Sequence, residues 1–108
     1  MTRFFCPYLK GEVELTPERE KHIAERHPDL FPEHQDCISA TLGDPDLVRR
    51  SARLDNARLF SRWFETVRGG KHVVVVILSS KGTSPEHFII TAYMTRRLAQ
   101  GATEWQRS

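Results

Sequence analysis

The stretch that most constrains the fold is "HVVVVIL", residues 72–78. Four valines, an isoleucine and a leucine follow one another with no polar residue between them. Branching at Cβ stiffens such side chains and suits them to an extended, pleated backbone. The run is far below the roughly 20 residues that a membrane-crossing helix needs. Without alternation, both sides of the strand are apolar, so the run is expected to be a central strand covered on both faces. A chain of 108 residues has room for one hydrophobic core. The rest of the chain must therefore supply strands on each side of this run and the layer that covers it.

The punctuation of the chain shows where those pieces lie. "GEVELT" alternates Val13 and Leu15 with acidic residues and reads as a short edge strand or an extended lead-in. Thr16 then has the character of an N-cap and Pro17 that of a first helical residue, with Glu18 and Glu20 at the positive end of the helix dipole. Pro28 disfavours helix at the residue before it, which ends the first helix near His27. A second helix is expected from about Pro32, with Cys37, Ile38, Thr41 and Leu42 as its apolar stripe and Gly43 as its C-terminal stop. Strands follow at "LVRRSARL", "RLFSRWFETV", "HVVVVIL" and "HFIITAY", separated by the turns "DNA" and "RGGK" and the loop "SSKGTSPE". The expected architecture is α+β, two N-terminal helices packed on a four-stranded antiparallel meander sheet. It forms a single domain over residues 1–108, with its core at about 12–97 and a tail, 98–108, that is helical or frayed.

Composition adds three bounds. Cys6 and Cys37 form no close-spaced pair and read as two reduced thiols. No targeting or membrane segment is visible, so a cytoplasmic protein is expected, or one exported by a route that the sequence does not show. Residues 1–48 hold five Lys and Arg against ten Asp and Glu, while residues 49–108 hold eleven against four. A basic half of this kind attracts phosphates, or is simply a dipolar, solvated surface.

The chemistry-bearing residues fall in two clusters. "KHIAERHP" places Ile23 and His27 on one side of the first helix and His22 and Arg26 on a neighbouring stripe. If Ile23 faces the sheet, His27 lies at the rim of the helix-sheet junction. There an imidazole can work as acid or base near neutral pH, or simply hydrogen-bond the backbone where the helix ends. Strict alternation puts Arg58, Phe60, Arg62 and Phe64 on one face of their strand. It also groups His87, Ile89, Thr91 and Tyr93 on the last strand against Phe88, Ile90 and Ala92. Thr91 and Tyr93 beside arginines suit a phosphodiester, or are ordinary strand formers with exposed hydroxyls. His22 and His27 are five apart and do not stack like the pair of a zinc helix. His34 and Cys37 have ligand-like spacing but no matching pair, so no metal and no cofactor are expected. No GxSxG and no phosphate-binding P-loop occurs, and "RGGK" reads as a hairpin turn.

In this order, "LTPEREKHIAERHPDL", "TLGDPDLVRRS", "RLFSRWF", "HVVVVIL" and "HFIITAY" resemble the small phage and bacterial domains of the barnase–EndoU–colicin E5/D–RelE (BECR) nuclease-like group. The shared pattern is a "HI..RHP" helix, a "PD.V" turn, two hydrophobic strands and a "TAY"-like final strand. The resemblance spans about residues 12–97. It implies a toxin-like or phage-derived, metal-independent ribonuclease. In such an enzyme the RNA 2′-hydroxyl attacks the phosphorus, a base takes its proton, cations stabilise the phosphorane and an acid protonates the leaving oxygen. The resemblance carries the helix residues over to His22, Arg26 and His27 and the strand residues to Thr91 and Tyr93. His27 is the best base or acid, Thr91 and Tyr93 position the phosphate, and Arg26 binds it. Arg62 and Arg58 join as phosphate binders from their place on the aromatic strand. RNA is then the expected partner, with an antitoxin or immunity protein as a second one and no membrane. The competing functions are a catalytically inert RNA- or protein-binding domain of the same fold, and an adaptor exposing an apolar patch near Trp63 or Trp105. Convergence of His27 or His22 with Arg26 or Arg62 and Tyr93 around a concave polar pocket separates the first function from the others.

Overall fold

In the computed structural model, which describes residues 1–99 and 101–108, the valine run is the middle of strand β5 (Lys71–Ser79). Val73, Val75 and Ile77 are fully buried within the main core, and Val74, pointing the other way, is also fully buried. Upstream of it lie β1 (Thr2–Cys6), a 3-10 turn at Pro7–Leu9, β2 (Gly11–Leu15), α1 (Pro17–Arg26), α2 (Gln35–Gly43), β3 (Leu47–Arg50) and β4 (Ala57–Phe64). Downstream of it are β6 (His87–Thr95) and β7 (Ala102–Gln106). The strands form one sheet in the order β1-β2-β6-β5-β4-β3-β7, in which only β2 and β6 run parallel.

The expected pair of helices on a four-stranded antiparallel meander is therefore corrected to a seven-stranded mixed sheet with two helices. The strands β3 to β6 are its middle, and three more strands extend it at both edges. "TRFFC" buries only Phe4 and Cys6. It is held by an antiparallel hairpin to β2 across a tight turn, in which Lys10 takes a left-handed φ of 57°. The β2–β6 pairing is two residues long, Val13 with His87 and Glu14 with Phe88, and it joins segments more than seventy residues apart. No local pattern announces such a long-range contact. Nor is the tail helical or frayed throughout its described residues, 98–99 and 101–108: Ala102–Gln106 pairs with β3 as an outer strand, and Gln100 lies outside the described residues. Its side chains are mostly exposed, so it lacks the alternation by which strands are read.

Helix α1 starts as its sequence dictates. Thr16 Oγ1 accepts from the Arg19 amide at 3.3 Å, Pro17 opens the first turn, and the helix ends at Arg26 with His27 as its C-cap. Ile23 is its one fully buried side chain. Helix α1 takes over where β2 leaves β6, and Arg19 Nη1 donates to the Ile90 carbonyl at 3.4 Å on that edge. The second helix begins at Gln35, later than Pro32, because residues 28–34 form turns that bury Leu30 and Phe31. Cys37, Ile38 and Leu42 of α2 join Phe60, Val73, Val75 and Ile77 in the core. The buried Thr41 hydroxyl donates back to the Cys37 carbonyl at 2.7 Å, so its burial leaves no unmet polar group.

One irregularity decides which side chains share a face. The β5–β6 register slips between Val76 and Ile77, where Val76 opposes Thr91 and Ile77 opposes Ile89, leaving Ile90 as the extra residue. A one-residue slip turns the remainder of a strand over. His87 and Ile89 accordingly lie on the α2 side with Ala92, while Thr91 and Tyr93 lie on the opposite side.

Candidate active site

The residues singled out in the sequence separate into three places. The first is the C-terminal end of α1. The His27 amide donates to the Ile23 carbonyl at 2.7 Å, which fixes the backbone of the cap. The His27 ring packs at 5.9 Å, centroid to centroid, against Tyr93 of β6, at an interplanar angle of 39°. Burial lowers the His27 pKa below its ordinary value. Asp29 opposes that shift, and the charges of His22 and Arg26 add to it. His22 and Arg26 thus lie close enough to bias the charge on the His27 ring. Thr91, two residues before Tyr93 on the same face, has a buried Oγ1 with no hydrogen-bond partner among the described residues.

The arginines of the aromatic strand lie elsewhere. Arg62 caps the end of α2: its Nη1 donates to the carbonyls of Ala40 at 3.4 Å and Asp44 at 3.3 Å and lies 3.7 Å from the Asp44 carboxylate. Its guanidinium also sits 5.6 Å above the Phe64 ring. Arg58 is at the other end of β4, where its Nε donates to Glu104 at 2.8 Å. Both side chains share the face of Phe60, the side opposite Thr91 and Tyr93. The structure brings His27 into contact with Tyr93, sets Thr91 on the same face of β6, and keeps His22 and Arg26 near enough to bias the His27 charge, while Arg58 and Arg62 lie away from them. The cavities of about 610 and 310 Å³ are lined by residues other than His22, Arg26, His27, Thr91 and Tyr93.

A buried cation on the Thr91 and Tyr93 side is Arg49, which sequence reasoning missed. Register places Arg49 opposite Leu59, Leu59 opposite Val76, and Val76 opposite Thr91. Three strand spacings, about 14 Å, separate the two ends of that row. Arg49 is 4% exposed. Its Nη1 donates to the Ala99 carbonyl, while Nε and Nη2 have no partner among the described residues. An incompletely paired buried guanidinium is costly unless something else meets it. Ser61, on the same face, has an unpartnered buried Oγ as well. His72 and Trp63, cross-strand partners with rings 4.8 Å apart, complete this face toward the β4–β5 turn. The signal for Arg49 was its alternation with the buried Val48, visible only once β3 is known to be covered by β7.

A group that could hold a metal consists of His34, Asp36 and Cys37, whose ligand atoms lie within 4.8 Å of one another. Burial pushes the Cys37 thiol up, with the Asp36 charge adding to it. Among the described residues, no helix is long and apolar enough to cross a membrane. No family model, no curated protein and no solved structure matches the chain.

Proposed function

We propose that the chain is a metal-independent endoribonuclease working on the face of the sheet that carries Thr91 and Tyr93. The observation that carries this is the packing of the His27 ring on Tyr93 beside His22 and Arg26. A half-buried, neutral imidazole is suited to take the proton of a ribose 2′-hydroxyl. Arg26 supplies charge for the phosphorane and the Tyr93 hydroxyl orients its oxygens, while Thr91, whose Oγ1 is buried, supports the strand beneath. His22, just over one turn back, is the candidate donor to the leaving 5′ oxygen. The chemistry requires only residues of the chain, in keeping with the resemblance to the BECR group.

The test is cleavage of labelled single-stranded RNA in EDTA. The wild-type chain is expected to cut. His27→Ala should lower the rate about 10²–10⁴-fold, the usual worth of a positioned acid or base. Tyr93→Phe should lower it about tenfold, the loss of one hydrogen bond to a charged group. Undiminished cleavage by His27→Ala contradicts the assignment. Salt-sensitive RNA binding without cleavage marks the inert binding domain instead.

A further inference from the structure

On the α2 side of the sheet, at the end remote from Arg62, lies a cavity of about 610 Å³. Two features of the register create it. Arg50 and Arg58 are direct cross-strand partners, an arrangement that repels. The β3–β7 register shifts between Val48 and Arg49, and the extra residue on β7 is Glu104. Bulges re-aim side chains, and this one carries the Glu104 carboxylate to both guanidiniums, 2.9 Å from Arg50 Nε and 2.8 Å from Arg58 Nε. Tyr8 also donates to Glu104, at 2.5 Å. Burial, then that carboxylate, holds the phenol up at about 12, so Tyr8 keeps its proton. At the base of the cavity, Ser79 Oγ and His87 Nδ1 share a hydrogen bond of 2.6 Å, both side chains being buried.

One carboxylate between two guanidiniums leaves a positive charge over. Lys10 and Lys81 also line the cavity, and Asp55 is the only other acid among the lining residues. The left-handed backbone at Lys10 holds it at the corner of the β1–β2 turn. The volume exceeds that of a bare phosphate and lies within the range of pockets that enclose small organic ligands. Arg58, hydrogen-bonded to Glu104, and the more exposed Arg50, paired in charge with its other oxygen, present guanidinium donors suited to phosphate oxygens. The His87–Ser79 pair offers neutral hydrogen-bonding groups at the base.

We infer that this cavity binds a phosphomonoester of about mononucleotide size, at a site separate from the His27–Tyr93 cluster and on the opposite face of the sheet. The phosphate sits against Arg50, Arg58, Lys10 and Lys81, and the organic part lies toward His87 and Ser79.

Isothermal titration calorimetry tests this with adenosine 5′-monophosphate, inorganic phosphate, adenosine and a 5′-phosphorylated RNA dinucleotide as probes. Adenosine 5′-monophosphate is expected to bind saturably, inorganic phosphate to compete with it, and adenosine to give no signal at the same concentration. Binding of the dinucleotide as well assigns the site to RNA ends, and binding of the mononucleotide alone assigns it to free nucleotides. Arg50→Ala and Lys81→Ala, both at exposed positions, should each weaken binding about tenfold. His27→Ala should leave it unchanged, so failure here is separable from failure of the ribonuclease reading. The inference is overturned by absence of saturable binding for both phosphorylated probes, by unchanged affinity in the Arg50→Ala, Lys81→Ala double variant, or by loss of binding in His27→Ala.

Discussion

Three histidines, His27, His72 and His87, share one electrostatic circumstance: burial lowers each below the ordinary imidazole value of 6.5. The folded chain therefore holds these rings neutral where the unfolded chain begins to bind protons. Stability is at its full value above about pH 6.5 and declines as pH falls below it, until the folded rings protonate too. A lower urea midpoint at pH 5.5 than at pH 7.5 is the expected outcome, with a smaller difference in His27→Gln. A midpoint that rises on acidification contradicts this. For His27 the same burial leaves the ring free to accept a proton near neutrality, which ties its packing on Tyr93 to its proposed work.

At the scale of elements, helix α1 delivers His27 to Tyr93, and its only fully buried anchor is Ile23. Ile23→Ala should cost about 2–5 kcal/mol by urea denaturation. It should also depress RNA cleavage under conditions where the variant is fully folded, although Ile23 touches no substrate. Full activity in the folded variant would detach the site from the helix. The β4–β5 turn offers an independent check on the face that carries Trp63. Gly70 has a φ of +100°, and a Cβ there would lie 2.6 Å from Trp63 Cζ2. Gly70→Ala should destabilise by more than about 1 kcal/mol and shift the tryptophan fluorescence, whereas a neutral effect would show that the turn yields. These elements also mark how far the sequence could be read. Thr16, Pro17 and Pro28 announced α1, because caps and prolines act within a few residues of themselves. The alternation of "HFIITAY" grouped His87 with Tyr93, and the bulge at Ile90 separates them. A slip of one residue is set by cross-strand pairing and leaves no local trace. Arg58 and Arg62 were grouped with Thr91 and Tyr93 for want of the register that places them on opposite sides.

At the scale of the molecule, the sheet has two differently equipped faces. One carries α2, the core and, at its end, the cavity between Arg50, Arg58 and His87. The other carries Arg49, Ser61, His72, Thr91 and Tyr93, and His27 meets it from the end of α1, whose Ile23 is anchored in the core of the first face. Among the basic residues of β3, β4 and β5, Arg50, Arg58, Arg62 and Lys71 lie on the first face and Arg49 on the second. The valine run made a central strand legible, but the mixed seven-stranded order was not, because β2 reaches β6 and β7 reaches β3 only through the completed fold. The central claim is that this second face cleaves RNA by attack of its own 2′-hydroxyl. The most direct measurement pairs an oligoribonucleotide with the same sequence carrying a 2′-deoxyribose at the cut position, both incubated in EDTA. The account predicts cleavage of the first to a 2′,3′-cyclic phosphate end and no cleavage of the second at that position. Cleavage of the deoxy-substituted strand there, or an intact ribonucleotide strand in the presence of folded protein, would contradict it.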